Sequence, residues 1–155
     1  MRTTFLAVIF LLFLIGARSS VIVSGAQTSA IAQKSQARVS DSEAARGRYL
    51  VEEVAKCSEC HTPRDAENQL DRSRWLQGAS IWIEPVRHVS NWAQFAPSLA
   101  GLPGMSDEQM ERVLEKGEAA NGREIQPPMH LYHLNHNDAQ AVIAYLRSLP
   151  TATSR

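Results

Sequence analysis

Cys57-Ser58-Glu59-Cys60-His61 is the stretch on which the reading of the whole chain turns. Two cysteines three positions apart occupy neighbouring corners of one helical turn, so both sulfurs can reach the two vinyl groups along one porphyrin edge. The adjacent His61 is then carried under the ring centre, where an imidazole nitrogen can bind iron. Cys57, Cys60 and His61 are therefore read as the attachment site of one haem c, with His61 as an iron ligand. Three alternatives compete. A zinc site needs four ligands, and the chain has no second Cys-x-x-Cys. A thioredoxin-like pair expects a βαβ setting, whereas this sequence offers helices. A plain disulfide gives His61 no role.

Composition supports a bound group. The 155 residues are 44% hydrophobic and 21% charged, as in an ordinary globular domain. Aromatics are only 6%, a thin supply for the core of a small protein, which suggests that something else fills it. Lys plus Arg total 16 and Asp plus Glu total 16, so the basic excess of a nucleic-acid binder is missing. Two cysteines are too few for a disulfide scaffold.

Arg2 precedes an unbroken apolar run from Phe5 to Ile15, with Arg18, Ser19 and Ser20 beyond it. This is the pattern of a secretory signal, expected over residues 1–32 with cleavage after Ala26 or Ala32. The rival reading is an uncleaved anchor; a span needs about 20 apolar residues, and Arg18 interrupts this one. The expected location is the periplasm, with no membrane span once the signal is removed. Cleavage would remove two bases and no acid, leaving 14 basic and 16 acidic residues.

Residues 33–40 are expected to be a flexible lead-in, 41–150 the folded domain and 151–155 a tail. Ser40 with Glu43 spells a capping box, placing a helix start at Asp41 or Ser42. That helix is expected to reach Lys56 with Tyr49, Leu50, Val54 and Ala55 near one face, and Gly47 in its middle. Residues 62–104 lack a sustained period, with a short strand expected at Ile81-Trp82-Ile83. Trp75, Trp82 and Trp92 in that stretch argue for packing over disorder. Ser106 with Gln109 opens a helix from Asp107 to Lys116, closed by Gly117. Asn135 with Asp138 opens the last helix, which Pro150 stops.

The second axial ligand must come from elsewhere in the chain. Met129 follows the stiff pair Pro127-Pro128 between two helices and is the expected ligand. Met110 suits core packing. Met105, in a Gly-rich turn, stays open as a rival, as do His130, His133 and His136, with His88 more remote. Arg64, Arg72 and Arg74 form a mildly basic cluster that either faces haem propionates or lies in a solvated loop.

Taken together, residues 41–150 resemble a monohaem class I cytochrome c. The resemblance rests on Gly47-Arg48-Tyr49-Leu50, Cys57-Ser58-Glu59-Cys60-His61-Thr62-Pro63-Arg64, Ala96-Pro97-Ser98-Leu99-Ala100-Gly101-Leu102, Gln126-Pro127-Pro128-Met129 and Ala144-Tyr145-Leu146-Arg147-Ser148-Leu149-Pro150. The chain is most similar to haem subunits or domains that accept electrons from periplasmic dehydrogenases. The resemblance implies an all-α, cytochrome c-like fold, with three to four helices around one covalent haem and a long insertion between the haem motif and the second helix. It implies that the first and last helices cross at Gly47 and the Tyr145 face. It also implies that the Pro97 carbonyl fixes His61 and that Met129 is the sixth ligand. The stretch from Thr62 to Ala96 is longer than in the smallest members, and His130 stands where proline is common.

The function expected is one-electron transfer between Fe(II) and Fe(III), not enzymatic turnover. Donors would be a dehydrogenase or quinol oxidoreductase, and acceptors an oxidase or another cytochrome. A monomer meeting these partners transiently is expected. The alternatives are a haem c subunit held in a periplasmic dehydrogenase complex, and a bis-His or open-site haem protein acting as a peroxidase or gas sensor.

Overall fold

The structure, a computed structural model, describes residues 25–151. Most of the expected signal segment, and residues 152–155 of the expected tail, lie outside the described residues. The chain divides into two compact units, residues 1–38 and 39–155. In the first unit, residues 25–38 are helical, and the side chains described there are exposed.

The first helix, α1, runs Gly25–Tyr49, which corrects two expectations. The 33–40 segment is helical instead of a flexible lead-in, and Ser40 does not start the helix. Between Ala26 and Arg46 there is no Gly or Pro to break the chain, and Ala, Gln, Lys and Arg favour the helical state. Within it the Ser42 hydroxyl donates to the Val39 carbonyl at 2.8 Å, a bond made back along a helix and not at its cap.

In the second unit α1 passes into one π-helical turn, Leu50–Val54. Ala55 N–H donates to Leu50 O at 2.8 Å and Cys57 N–H to Val51 O at 3.0 Å, so the last turn is wound wide. The widening shifts which side chains face inward. Leu50 and Val51 are buried, while Tyr49, expected on the apolar face, is exposed. A single turn, α2 (Ser58–His61), follows at once.

The long connection beyond it carries structure of its own. A 3-10 turn, Arg72–Arg74, is capped by Asp71, whose side chain accepts from Ser73 N–H. The strands β1 (Ala79–Ser80) and β2 (Phe95–Ala96) pair antiparallel, with Ala79 opposite Ala96. The strand expected at Ile81–Ile83 thus starts two residues earlier and ends three residues earlier. The pairing still runs one bond further, from Ile81 N–H to Gln94 O at 3.0 Å.

The helices α3 (Asp107–Lys116) and α4 (His136–Ser148) begin and end where local chemistry dictates. Ser106 and Gln109 close both arms of a capping box, and Gly117 leaves α3 in the left-handed conformation at φ 72°. Asn135 caps α4 through Asp138 N–H. Met110, Val113 and Leu114 of α3 meet Val142, Ile143 and Leu146 of α4 in one core. The crossing expected at Gly47 is present: a Cβ there would lie 1.8 Å from Ala141 O and 2.9 Å from Tyr145 Cβ. The domain is thus mostly helical, with four helices and one two-stranded sheet among the described residues. No helix among them is long and apolar enough to cross a membrane.

Candidate haem site

Cys57, Cys60 and His61 lie where the wide end of α1 hands the chain to α2. Burial pushes the Cys57 thiol up to about 11 and raises that of Cys60, whose neighbour Glu59 adds to the effect. Redox-exchange cysteines need the opposite, a stabilised thiolate. The thioredoxin-like alternative therefore has no support in the surroundings of these sulfurs.

His61 is only 5% exposed. Its Nδ1–H donates to the Pro97 carbonyl at 2.7 Å. A carbonyl can only accept, so the proton sits on Nδ1, and Nε2 keeps its lone pair for a metal. Burial also lowers the imidazole's affinity for a second proton, although the Pro97 bond works against this. The local fold explains the contact. Gly78, at φ 85°, donates its N–H to His61 O at 2.8 Å. A Cβ on Gly78 would stand 2.9 Å from Ala96 O and 3.1 Å from the Pro97 carbonyl carbon, so only glycine lets β2 pass this close. Thr62, fully buried, accepts from Leu76 N–H at 3.0 Å and pins the far side of the same turn.

Met129 reaches the site from the other end of the domain. Its N–H donates to Gln126 O at 3.2 Å, closing a turn around the cis Pro127–Pro128 bond, and Ala93 N–H donates to Pro127 O at 2.8 Å. All five expected site residues, Cys57, Cys60, His61, Pro97 and Met129, line one cavity of about 890 Å³. Its remaining wall is largely apolar, drawn from the π-helical turn, α3 and α4 and including Leu50, Val51, Val113 and Leu146.

The rival ligands separate by position. Met105 and the exposed His130 also line the cavity, as does the buried Met110. His133 and His136 do not line it: the Nδ1 of His133 lies 3.3 Å from Glu115 O, and that of His136 lies 3.0 Å from the Glu115 carboxylate. His88 is exposed outside it. The arginine cluster does not face the cavity either. Arg64 pairs with Glu59 and lies over Trp82, Arg72 lies over Trp75, and Arg74 pairs with Asp71. None of the three tryptophans lines the cavity: Trp75 packs against the hydrophobic core, Trp82 Nε1–H donates to Glu59 O and Trp92 Nε1–H to Ile83 O, each at 3.3 Å. Sequence reasoning missed Tyr132, in an irregular segment, and Phe95, in the two-residue strand β2; both line the cavity, and neither stands in a periodic pattern long enough to mark it.

A haem c requires two thiols beside one ring edge, an imidazole with a free nitrogen, and an apolar container. The residues present supply each. A cavity of this size lies at the upper end of small-molecule and cofactor sites, about 300–1,000 Å³.

The cytochrome c family matches residues 44–150. The fructose dehydrogenase cytochrome subunit of Gluconobacter japonicus is 36% identical over 110 residues, covering 68% of this chain and 22% of that protein. The cytochrome c subunit of the quinone alcohol dehydrogenase of Gluconobacter oxydans (strain 621H) is 30% identical over 122 residues, 72% of this chain and 25% of its own. The gluconate 2-dehydrogenase cytochrome c subunit of Pantoea cypripedii is 32% identical over 114 residues, 68% of this chain and 26% of its own. The chain thus spans about a quarter of the length of these relatives. Since the motif, the buried imidazole and the cavity all fall inside the matched span, the chain belongs to the cytochrome c family and is an electron-transfer protein with covalently bound haem c.

Proposed function

We propose that the chain is a monohaem one-electron carrier in which Cys57 and Cys60 hold the haem and His61 and Met129 are its axial ligands. The observation that carries this reading is the His61–Pro97 bond, which leaves Nε2 available in a cavity that Met129 also lines. Haem c supplies an iron that takes up and releases one electron. The polypeptide does the rest. Pro97 fixes the imidazole and increases its basicity. Two protein ligands leave no position for a substrate, which favours electron transfer over oxygen or peroxide chemistry. A thioether ligand and an apolar wall both disfavour the extra charge of the oxidised state, so they raise the potential.

Periplasmic location is part of this proposal, supported by the Arg2-led apolar run from Phe5 to Ile15. The names of the relatives favour a dehydrogenase as the electron donor, with the chain acting beside it as an electron-accepting component. Purification as a lone monomer would favour the free carrier, and copurification with a dehydrogenase the subunit.

The ligand set is tested by the red-end sulfur-to-iron absorption band of the oxidised protein. The band is expected in the wild type, absent in Met129→Ala and retained in Met105→Ala. Its survival in Met129→Ala overturns the assignment. Rapid carbon monoxide binding by the reduced wild type would point instead to an open-site protein.

A further inference from the structure

Tyr132 stands three residues beyond Met129, and its hydroxyl reaches across the domain. It donates to Ala55 O at 2.9 Å, spanning 77 positions of sequence. Ala55 closes the wide end of α1, two residues before Cys57. Carbonyls at a helix C-terminus have no partner within the helix, so Ala55 O is a natural acceptor. The Tyr132 ring is half-buried and lines the same cavity as Met129. His130 packs edge-on against it at 5.8 Å, so the turn carrying Met129 leans on this ring. Burial raises the phenol above its ordinary value, so it remains a donor throughout the neutral range.

The neighbouring anchors of this loop lie elsewhere. Pro127 O is held by Ala93 N–H, and Leu134 N–H donates to Leu114 O at 2.9 Å. These tie the ends of the segment to the sheet loop and to α3. Tyr132 ties its middle to the chain that carries the haem cysteines. Moving Met129 away from the haem side requires the loop to swing, and that movement breaks the Tyr132–Ala55 bond. The bond therefore stabilises the closed arrangement over the open one, which is what a coupling needs in order to shift a population.

We propose that Tyr132 is a positioning residue, a latch that holds the Met129 loop against the haem-attachment segment and keeps the sixth position closed to external ligands. This rests on Met129 as the sixth ligand. The latch acts through the loop and donates no ligand atom itself.

The test compares carbon monoxide binding by the reduced holoprotein in Tyr132→Phe, Tyr145→Phe and the wild type. Tyr145 is the matched control: it donates to the Glu52 carboxylate at 2.5 Å and does not line the cavity. The Tyr145 hydroxyl is also held by Trp75, so Tyr145→Phe loses at least as much hydroxyl bonding as Tyr132→Phe, and a general loss of stability affects both. The apparent affinity is expected to rise about fivefold in Tyr132→Phe, because one hydrogen bond no longer opposes loop opening. It should stay at the wild-type level in Tyr145→Phe, with far-ultraviolet dichroism unchanged in both. Equal behaviour of the two variants overturns the latch. A second measurement needs no variant. Saturating carbon monoxide should speed amide exchange in residues 126–134 of the wild type and leave 107–116 unchanged; exchange unaltered in 126–134 also overturns the latch. Met129→Ala separates the two readings. If it keeps the sulfur-to-iron band, the ligand assignment fails; if it loses the band while Tyr132→Phe matches Tyr145→Phe, only the latch fails.

Discussion

Gly47 shows how much one absent methyl group can decide. The close approach of Ala141 O leaves no room for a Cβ, and no rotamer can relieve a clash with backbone. Alanine would gain about 1 kcal/mol in helix propensity, yet forcing α1 away from α4 costs more. Gly47→Ala is expected to lower unfolding free energy by about 2 kcal/mol, within the usual range for overpacking, as read by urea denaturation of the holoprotein. At the same scale, Cys57, Cys60 and His61 were legible because their chemistry is local, fixed by adjacency in the sequence. Pro97 lies 36 positions from its partner, and only the family resemblance pointed to it. Tyr132 carried no signal at all, since a hydroxyl aimed at a backbone carbonyl leaves no trace in periodicity or spacing.

Among the elements, the same cap signature succeeded once and failed once. Ser106 and Gln109 cap α3 because Gly104 and the bend before it end any earlier structure. Ser40 and Glu43 offer the same letters, but good helix formers precede them and the helix simply runs through. A capping box marks a start only where something upstream has stopped. The π turn was equally invisible, for its wide winding shows in backbone bonds and not in residue types. The link between α1 and α4 has a pH signature. Arg46 makes two hydrogen bonds to Asp138, at 2.9 and 3.2 Å, and holds that carboxyl below its ordinary value of 3.8. A carboxylate with a depressed value contributes stability above its unfolded-state value and loses it as pH falls through the folded one. Asp138→Asn should therefore destabilise the protein at neutral pH, by less than about 1 kcal/mol because the pair is exposed. The difference from wild type should close as pH drops below about 4. A difference in urea midpoint that persists unchanged in acid would contradict this role for the pair.

For the molecule as a whole, the cavity of about 890 Å³ sets the energetics. Left open, its largely apolar wall would face water, and each 100 Å² of apolar surface taken out of water is worth about 2.5 kcal/mol. Typical domains are stable by only about 5–15 kcal/mol. The haem is thus as much a part of the core as Leu146 or Val51, which explains how a chain with 6% aromatics closes a compact interior. The low aromatic content was legible as a hint; the wall itself was not, because it is assembled from the π-helical turn, α3, α4 and the connections between them. The most direct measurement is the intact mass of the purified protein after acid–acetone extraction, which strips any haem that is not covalently bound. A polypeptide heavier by one haem, with that mass lost in Cys57→Ala/Cys60→Ala together with the helical dichroism, is the expected result. A compactly folded wild type at the bare polypeptide mass, from a host equipped to attach haem, would show that the interior is built in some other way.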